Sequence, residues 1–299
     1  MSGNSTADES LVQTFALMRK GLHFHIPSHI DAFCASTQLA LGPAETIVQT
    51  ATTIPYYTKF RSPGVSASVL KLVRGNSSHG VSQTLGMAKT ATYAHPPRRS
   101  CHICIQSDKA EFGFTYWRRD HQLPGVLVCQ EHGTALLSLP HDHNSIRNEN
   151  LLWPDNDWDL SSAPPDWPAL SMNSLHRLAQ LAADLARGNL ADGYSVRKMR
   201  NVCYPMLQER QLITQDGALM VHEALQDYGN HFISVAAAPE FRSAIQGSIR
   251  PLLYALKLSD RRIHPLEWML IIDWLFGDWA TFEKCYRQSA INHMRHEVK

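Results

Sequence analysis

The sequence has no long apolar run and no recognisable export signal, and these absences exclude two classes of protein. No stretch of 18 consecutive apolar residues occurs among its 299 residues, so no membrane span is predicted. The first ten residues, MSGNSTADES, lack the basic start and apolar core of a secretory signal. We therefore expect a cytoplasmic protein with no membrane partner.

Cysteine is scarce and unevenly placed. Of the six cysteines, three fall in one short window, and Cys34, Cys203 and Cys285 are scattered singly. A disulfide framework would not be arranged in this way in a chain of this length. Reduced thiols, some of which hold a metal ion, fit the pattern better.

The net charge is only +1, which by itself does not predict a nucleic-acid-binding protein. The distribution of the charge is uneven, however. Residues 59–119 contain ten Lys or Arg against two acidic residues, a balance of +8, whereas residues 151–299 contain fifteen against seventeen, a balance of −2. One strongly basic segment therefore overlaps the cysteine window and is a candidate for phosphate contact.

The periodicity of apolar residues predicts a mainly helical chain with two candidate helix-turn-helix units. The first unit would follow a helix near residues 11–18 and consists of helices around Ile30 and after Pro43; a plain helical hairpin is the alternative. Its second helix has Glu45 and no cation, so we do not expect it to read DNA. The second unit lies at about 195–229, where cations cluster on a face that is either solvated or contacts nucleic acid.

Two pairs of potential metal ligands are separated by 24 intervening residues. Cys101-His102-Ile103-Cys104 and Cys129-Gln130-Glu131-His132 each have the spacing that directs two ligands inward from one tight turn. The predicted ligands are Cys101, Cys104, Cys129 and His132, holding one structural Zn²⁺ per chain. Three core thiols and a surface histidine are the alternative. His102 and His121 are spare histidines that the spacing does not favour as ligands.

The segment between the two pairs predicts a small module. We expect Phe112, Phe114, Tyr116 and Trp117 to form its miniature core, and residues 126–128 to form a short buried strand after Pro124-Gly125. No HExxH or deaminase pattern is present, and the polar loop at 141–143 has no accompanying base or nucleophile. The residues therefore do not predict an enzyme.

The stretch CHIC followed by FGFTYWRRDHQLPGVLVCQEHG resembles the zinc motif of the TniQ/TnsD family, the target-selection proteins of Tn7-type DNA transposons. DESLVQTFALMRKG resembles the family's N-terminal helix, and HPLEWMLIIDWLFG is similar to a segment further along. The resemblance implies a bacterial, non-enzymatic transposition protein. TniQ-like members link an RNA-guided CRISPR effector complex and its guide RNA to the AAA+ regulator of the transposase, often as a homodimer. TnsD-like members bind attachment-site DNA directly.

The near-neutral charge and the cation-free first unit favour the adaptor form, with the autonomous DNA-binding form as the alternative. The predicted divisions are an N-terminal helix-turn-helix region at 1–60, a basic segment with the zinc module at 61–145, a Pro/Trp-rich linker at 146–170 and a C-terminal helical domain at 171–299. The predicted nucleic-acid contacts are Lys59, Arg61, Lys71, Arg74, Arg98, Arg99, Arg118, Arg119, Arg197, Lys198 and Arg200.

Overall fold

The computed structural model of the chain describes residues 26–76, 80–87, 97–138, 153–154, 161–162, 167–190, 192–245 and 263–297. The helix predicted near residues 11–18 and the polar loop at 141–143 lie outside these ranges. So does most of the predicted linker. Within the described part, no helix is both long and apolar enough to cross a membrane.

The described chain is mainly helical, as the periodicity predicted. The helices of the N-terminal half are α1 (Ile30–Ser36), α2 (Ala44–Ala51), α3 (Ile54–Thr58), α4 (Pro63–Arg74), α5 (Val81–Leu85) and α6 (His102–Phe112). Those of the C-terminal half are α7 (Ala169–Arg187), α8 (Val196–Glu209), α9 (Val221–His231), α10 (Pro239–Ile245), α11 (Pro265–Phe276) and α12 (Trp279–Glu297).

Local sequence signals explain several helix ends. Helix α4 begins at Pro63, whose fixed φ suits the first turn, and α6 ends before Gly113, which adopts a φ of 76°. His264 caps α11, since its Nδ1 accepts a hydrogen bond from the Leu266 amide while Glu267 accepts one from the His264 amide. The helices α1 and α2 of the first predicted helix-turn-helix are both present; the motif itself stays a prediction.

Three very short strands form one antiparallel sheet beside the cysteine window. Strand β1 (Arg99–Ser100) pairs with β2 (Leu137–Ser138), which pairs with β3 (Ser161–Ser162). The strand predicted at 126–128 was wrong: the segment is buried, but only Val128 makes a bridge, to Ala135. In the same segment, Leu127 O accepts a hydrogen bond from the amide of Leu136.

Buried residues of the N-terminal helices, the cysteine window and the C-terminal helices form one connected apolar core. Helix α3 packs against α7, α11 packs against α7 and α12, and α8 packs against α12. Helix α11 is buried on nearly all sides, which agrees with the high apolar density of its sequence. The domain boundaries proposed from the sequence stay a prediction.

One carboxylate lies at the centre of the C-terminal helices. Asp273 of α11 has no solvent exposure, and it accepts hydrogen bonds from Arg177 of α7 at 2.6 and 3.1 Å and from His231 of α9 at 2.9 Å. Burial raises the pKa of Asp273, but the hydrogen bonds from His231 and Arg177 outweigh it, so the net pKa is lowered. The ionised carboxylate thereby joins three helices.

Candidate metal centre

The two ligand pairs of the cysteine window converge on one point. Cys101 immediately precedes α6, and Cys104 lies in its first turn. The second pair sits in a tight turn in which the Gly133 amide donates to Cys129 O at 2.8 Å, and Gly133 adopts a φ of 64°. The ligand atoms of Cys101, Cys104, Cys129 and His132 all lie within 4.8 Å of one another, so the cluster could hold a metal ion.

The distances in this cluster fit a tetrahedral site. The Sγ atoms of Cys104 and Cys129 are 3.7 Å apart, and His132 Nδ1 lies 3.3, 3.5 and 3.7 Å from the Sγ atoms of Cys104, Cys129 and Cys101. Tetrahedral zinc with ordinary bond lengths requires about 3.8 Å between two sulfurs and about 3.6 Å between sulfur and nitrogen. The donor set of three thiols and one imidazole therefore fits zinc.

The closeness of the three thiols also fits a cation. Hydrogen bonds from Cys104 and Cys129 lower the pKa of the Cys101 thiol, whereas the contacts with Cys101 and Cys129 raise the pKa of Cys104. A divalent cation stabilises all three thiolates at once, because its charge opposes their mutual repulsion.

A buried histidine supports the cluster without joining it. His121 Nε2 lies 3.9 Å from Cys104 Sγ, and burial lowers the pKa of this histidine to about 4, which keeps the ring neutral. A neutral imidazole at this position is able to donate its N–H to the thiolate and to orient it. His102, the other spare histidine, is exposed on α6.

Ion pairs brace the two halves of the cluster. Arg118 donates to both oxygens of Asp108 on α6, at 2.7 and 3.2 Å, and to Glu131 of the second ligand pair at 2.7 Å. Asp108 is almost fully buried, so the guanidinium compensates a carboxylate that has left water. Arg118 therefore fixes α6 against the turn that carries Cys129 and His132.

Comparison with known proteins shows which family this part of the chain is similar to. The sequence model of the TniQ family matches residues 2–136, a stretch that contains all four members of the cluster. We call residues 2–136, which match this family model, the TniQ region. The transposon Tn7 transposition protein TnsD of Escherichia coli is 24% identical over 161 residues, which cover 54% of this chain. The matched part spans 30% of that relative's length, so less than a third of the relative is represented.

Three of the eleven cations predicted to contact nucleic acid lie inside the protein. Lys59, Arg98 and Arg99 are buried. Lys59 Nζ lies 5.4 Å from the centre of the Tyr194 ring, and burial lowers its pKa. Burial likewise lowers the pKa of Arg98 to about 10, and its guanidinium lies over the Trp117 ring. These three side chains act inside the protein.

The other predicted cations of the segment 59–119 are partly engaged. Arg61 donates to Leu85 O at 2.9 Å, and Arg74 pairs with the acidic residues of α1 and α2 at 2.9 and 2.6 Å. Arg119 pairs with Asp120 at 2.7 Å and donates to a carbonyl of α2. Lys71 is exposed on α4. Several cations of the segment 59–119 therefore already have partners within the protein. Contact of this segment with nucleic acid stays a prediction.

The three predicted cations of α8 are at least partly exposed. Arg197 is exposed, and Lys198 and Arg200 are half-buried beside it at the start of the helix. Asn201, Tyr204 and Gln208 are exposed further along, at spacings that continue one helical face from Arg197. The sequence contains this polar periodicity, but counting charges alone does not detect it.

The turn at Pro124-Gly125 connects the TniQ region to the C-terminal helices. The Tyr56 hydroxyl donates to Pro124 O at 3.4 Å, and Gly125 lies against Leu266 of α11 and Phe241 of α10. On the other side of the turn, Arg99 pairs with Glu240 at 2.5 Å and donates to Val126 O. The sequence predicts a turn at this glycine, but it does not predict which distant residues pack against the turn.

We expect Arg118→Ala to lower the free energy of unfolding by about 1–3 kcal/mol, because Asp108 is left buried without its partner. Urea unfolding monitored by circular dichroism measures the change. Glu131→Gln is the matched control, since it removes only the half-exposed partner of Arg118, and it should cost less than about 1 kcal/mol. Equal stability of Arg118→Ala and the wild type would show that this ion pair does not brace the module.

Proposed function

We propose that this chain is a target-selection protein of DNA transposition that catalyses no reaction itself. The match of residues 2–136 to the TniQ family, over the stretch that holds the Cys/His cluster, carries the proposal. The cluster would hold one structural Zn²⁺ per chain, because three thiolates and one imidazole fill the four positions of a closed tetrahedral site. Such a site leaves no position open for a reacting water.

We propose further that the chain acts as an adaptor between a target complex and the AAA+ regulator of the transposase. The target complex would be either bound target DNA or an RNA-guided CRISPR effector with its guide RNA. The inward orientation of Lys59, Arg98 and Arg99 supports this form, because it leaves the TniQ region with fewer cations for DNA than its sequence contains. Binding of the purified chain to the regulator encoded in the same element tests the proposal.

The exposed face of α8 is the surface best suited to nucleic acid. Arg197, Asn201, Tyr204 and Gln208 form one exposed stripe of side chains of the types that can donate hydrogen bonds to phosphates and base edges. Lys198 and Arg200 flank its first turn. Packing of α8 against α12 holds the stripe on a rigid element. This surface supports the alternative function, in which the chain binds attachment-site DNA without an RNA-guided partner.

We expect Arg197→Ala together with Lys198→Ala to weaken binding to duplex DNA and to single-stranded RNA. Each phosphate contact adds about 0.9 to the slope of log affinity against log salt on duplex DNA, so the double variant should reduce the slope by about 1–2. Fluorescence anisotropy at several salt concentrations measures it.

Arg187→Ala is the matched control, since Arg187 is an exposed arginine that pairs with Asp184 within α7 and lies outside α8. An unchanged slope in the double variant would contradict the assignment of this face. Footprinting on attachment-site DNA with excess competitor separates the two forms, because only the autonomous form protects a defined sequence without a guide.

A further inference from the structure

An open groove runs between α2 and α4 in the N-terminal half of the chain. Its volume is about 590 Å³, and the residues that follow α7 close one end of it. Its apolar lining comes from α4 and from this closing segment: Pro63, Ala67, Leu70 and Leu190. Gln49 of α2 holds the closed end, since it donates to Gly188 O and accepts at 2.8 Å from the Leu190 amide. The groove is therefore built by packed helices and a fixed turn.

One hydroxyl group of the groove has no partner within the described part of the chain. Ser66 lines the groove and is 5% exposed, and its Oγ makes no hydrogen bond to any described residue. Helical Ser and Thr side chains commonly donate to the carbonyl four residues back, as Ser68 does to Gly64 O at 2.8 Å. A buried hydroxyl without a partner is destabilising. Ser66 therefore indicates that a group from outside the described residues covers the groove.

The described chain begins beside the open end of this groove. The amide of His29 donates to Gly75 O at 2.9 Å, directly after the last residue of α4. That last residue, Arg74, pairs at 2.6 Å with Glu45, which lines the groove at the start of α2. The 25 residues that precede the described chain therefore lead away from the Glu45 end of the groove.

The predicted helix at residues 11–18 matches the groove in length. Its apolar residues share one face at spacings of four and three residues: Leu11, Phe15 and Met18. At 1.5 Å per residue the helix rises about 10 Å, as does the part of α4 from Pro63 to Leu70 that lines the groove. The residues at 19–25 reach up to about 23 Å when extended, so they are able to connect this helix to the start of the described chain.

The charges on either side of the predicted helix match those at the two ends of the groove. The two cations at 19–20 follow the helix and would meet Glu45 at the end where the chain enters. The two carboxylates at 8–9 precede the helix and would meet Arg187, which lines the groove at the closed end, next to Gly188. Glu45 and Arg187 are both exposed. The opposite direction of the helix would place like charges together, so charge and connection favour the same direction.

We propose that the chain's own residues 8–20 occupy the groove between α2 and α4 as an amphipathic helix, with their apolar face on Ala67 and Leu70. An apolar helix face laid between two other helices is a common mode of recognition. The segment would also cover Ser66. The inference is independent of the proposed function, and its test involves neither nucleic acid nor another transposition protein.

Thiol labelling of the intact chain tests this proposal. Ala67→Cys places a thiol in the groove, and Ser68→Cys is the matched control, since Ser68 is exposed on the same helix but does not line the groove. A maleimide reagent is added to each variant, and mass spectrometry follows the modification at residue 67 or 68. We expect residue 67 to react at least about tenfold more slowly than residue 68, because it reacts only while the segment is out of the groove.

Substitutions in the segment complete the test. Phe15→Ser with Met18→Ser should raise the labelling rate of Ala67→Cys to that of Ser68→Cys and leave the rate of Ser68→Cys unchanged. Arg19→Glu with Lys20→Glu should raise the rate at residue 67 severalfold, because it replaces the attraction to Glu45 by repulsion and keeps the apolar face. The melting temperature and the metal content verify the fold of each variant. If the Phe15/Met18 variant does not fold, the Arg19/Lys20 variant decides.

Three results would overturn the proposal. Equal labelling rates at residues 67 and 68 in the otherwise unchanged chain would show that the groove is open. A slow rate at residue 67 that neither pair of substitutions changes would mean that another segment covers the groove. Protection of residue 67 that increases with protein concentration would mean that the occupant comes from a second copy of the chain.

Discussion

Replacing Cys104 by serine is expected to release the metal and to unfold the TniQ region. Cys104 is fully buried and contacts His132, Cys129 and the ring of His121. A structural zinc contributes on the order of 10 kcal/mol to folding, as much as the whole stability of a typical domain. The region shares its core with α7 and α11, so we expect the loss to lower the melting temperature of the entire chain.

Metal content by mass spectrometry and the melting temperature, taken on the same samples, measure this effect. His132→Ala should behave like Cys104→Ser, whereas His132→Cys should keep the metal because four thiolates also bind zinc. Cys285→Ser is the matched control: this cysteine is half-buried on α12, outside the cluster, and its variant should keep one metal ion per chain. A Cys104→Ser protein that retains the metal and melts like the wild type would refute the assigned ligands.

The second large effect is expected at Gly125. This glycine has a φ of 81°, and a Cβ added to it would lie 2.6 Å from Leu266 Cδ1 and 3.3 Å from the Phe241 ring. An alanine in this conformation costs about 1–2 kcal/mol, and the overpacked contact adds about 1–3 kcal/mol. We therefore expect Gly125→Ala to lower the free energy of unfolding by about 2–5 kcal/mol.

Gly113→Ala provides the matched control for this experiment. Gly113 has nearly the same φ, 76°, but no atom lies within 4 Å of its added Cβ, so only the conformational cost applies. Chemical denaturation of both variants separates strain from packing. Equal losses at the two positions would mean that the contact of the turn with α10 and α11 contributes nothing to stability.

The metal cluster was predictable because its information is local. Two ligands three residues apart point inward from a single turn, and both pairs obey that rule, so the spacing alone predicted the four residues that converge in the structure. The helices were predictable for a similar reason, since apolar periodicity and end signals such as Pro63 and Gly113 act within a few residues.

Burial of individual side chains was not predictable, because it depends on distant residues. The sequence shows Arg99 as a cation in a basic segment, but Glu240, 141 residues away, turns it inward. Phe112 and Phe114 look like core residues, yet both are exposed, and the core beside them is built from residues such as Leu123 and Val126. Summed charge and hydrophobicity contain no information on such long-range pairing.

Mapping of insertion sites tests the central claim most directly. The transposase and its AAA+ regulator would be expressed with this chain, without it, or with the Cys104→Ser variant, and new insertions would be located by sequencing. We expect insertions at the selected target only with the wild-type chain, and a loss of that preference in the other two cases. The same distribution of insertions with and without the chain would contradict a role in target selection.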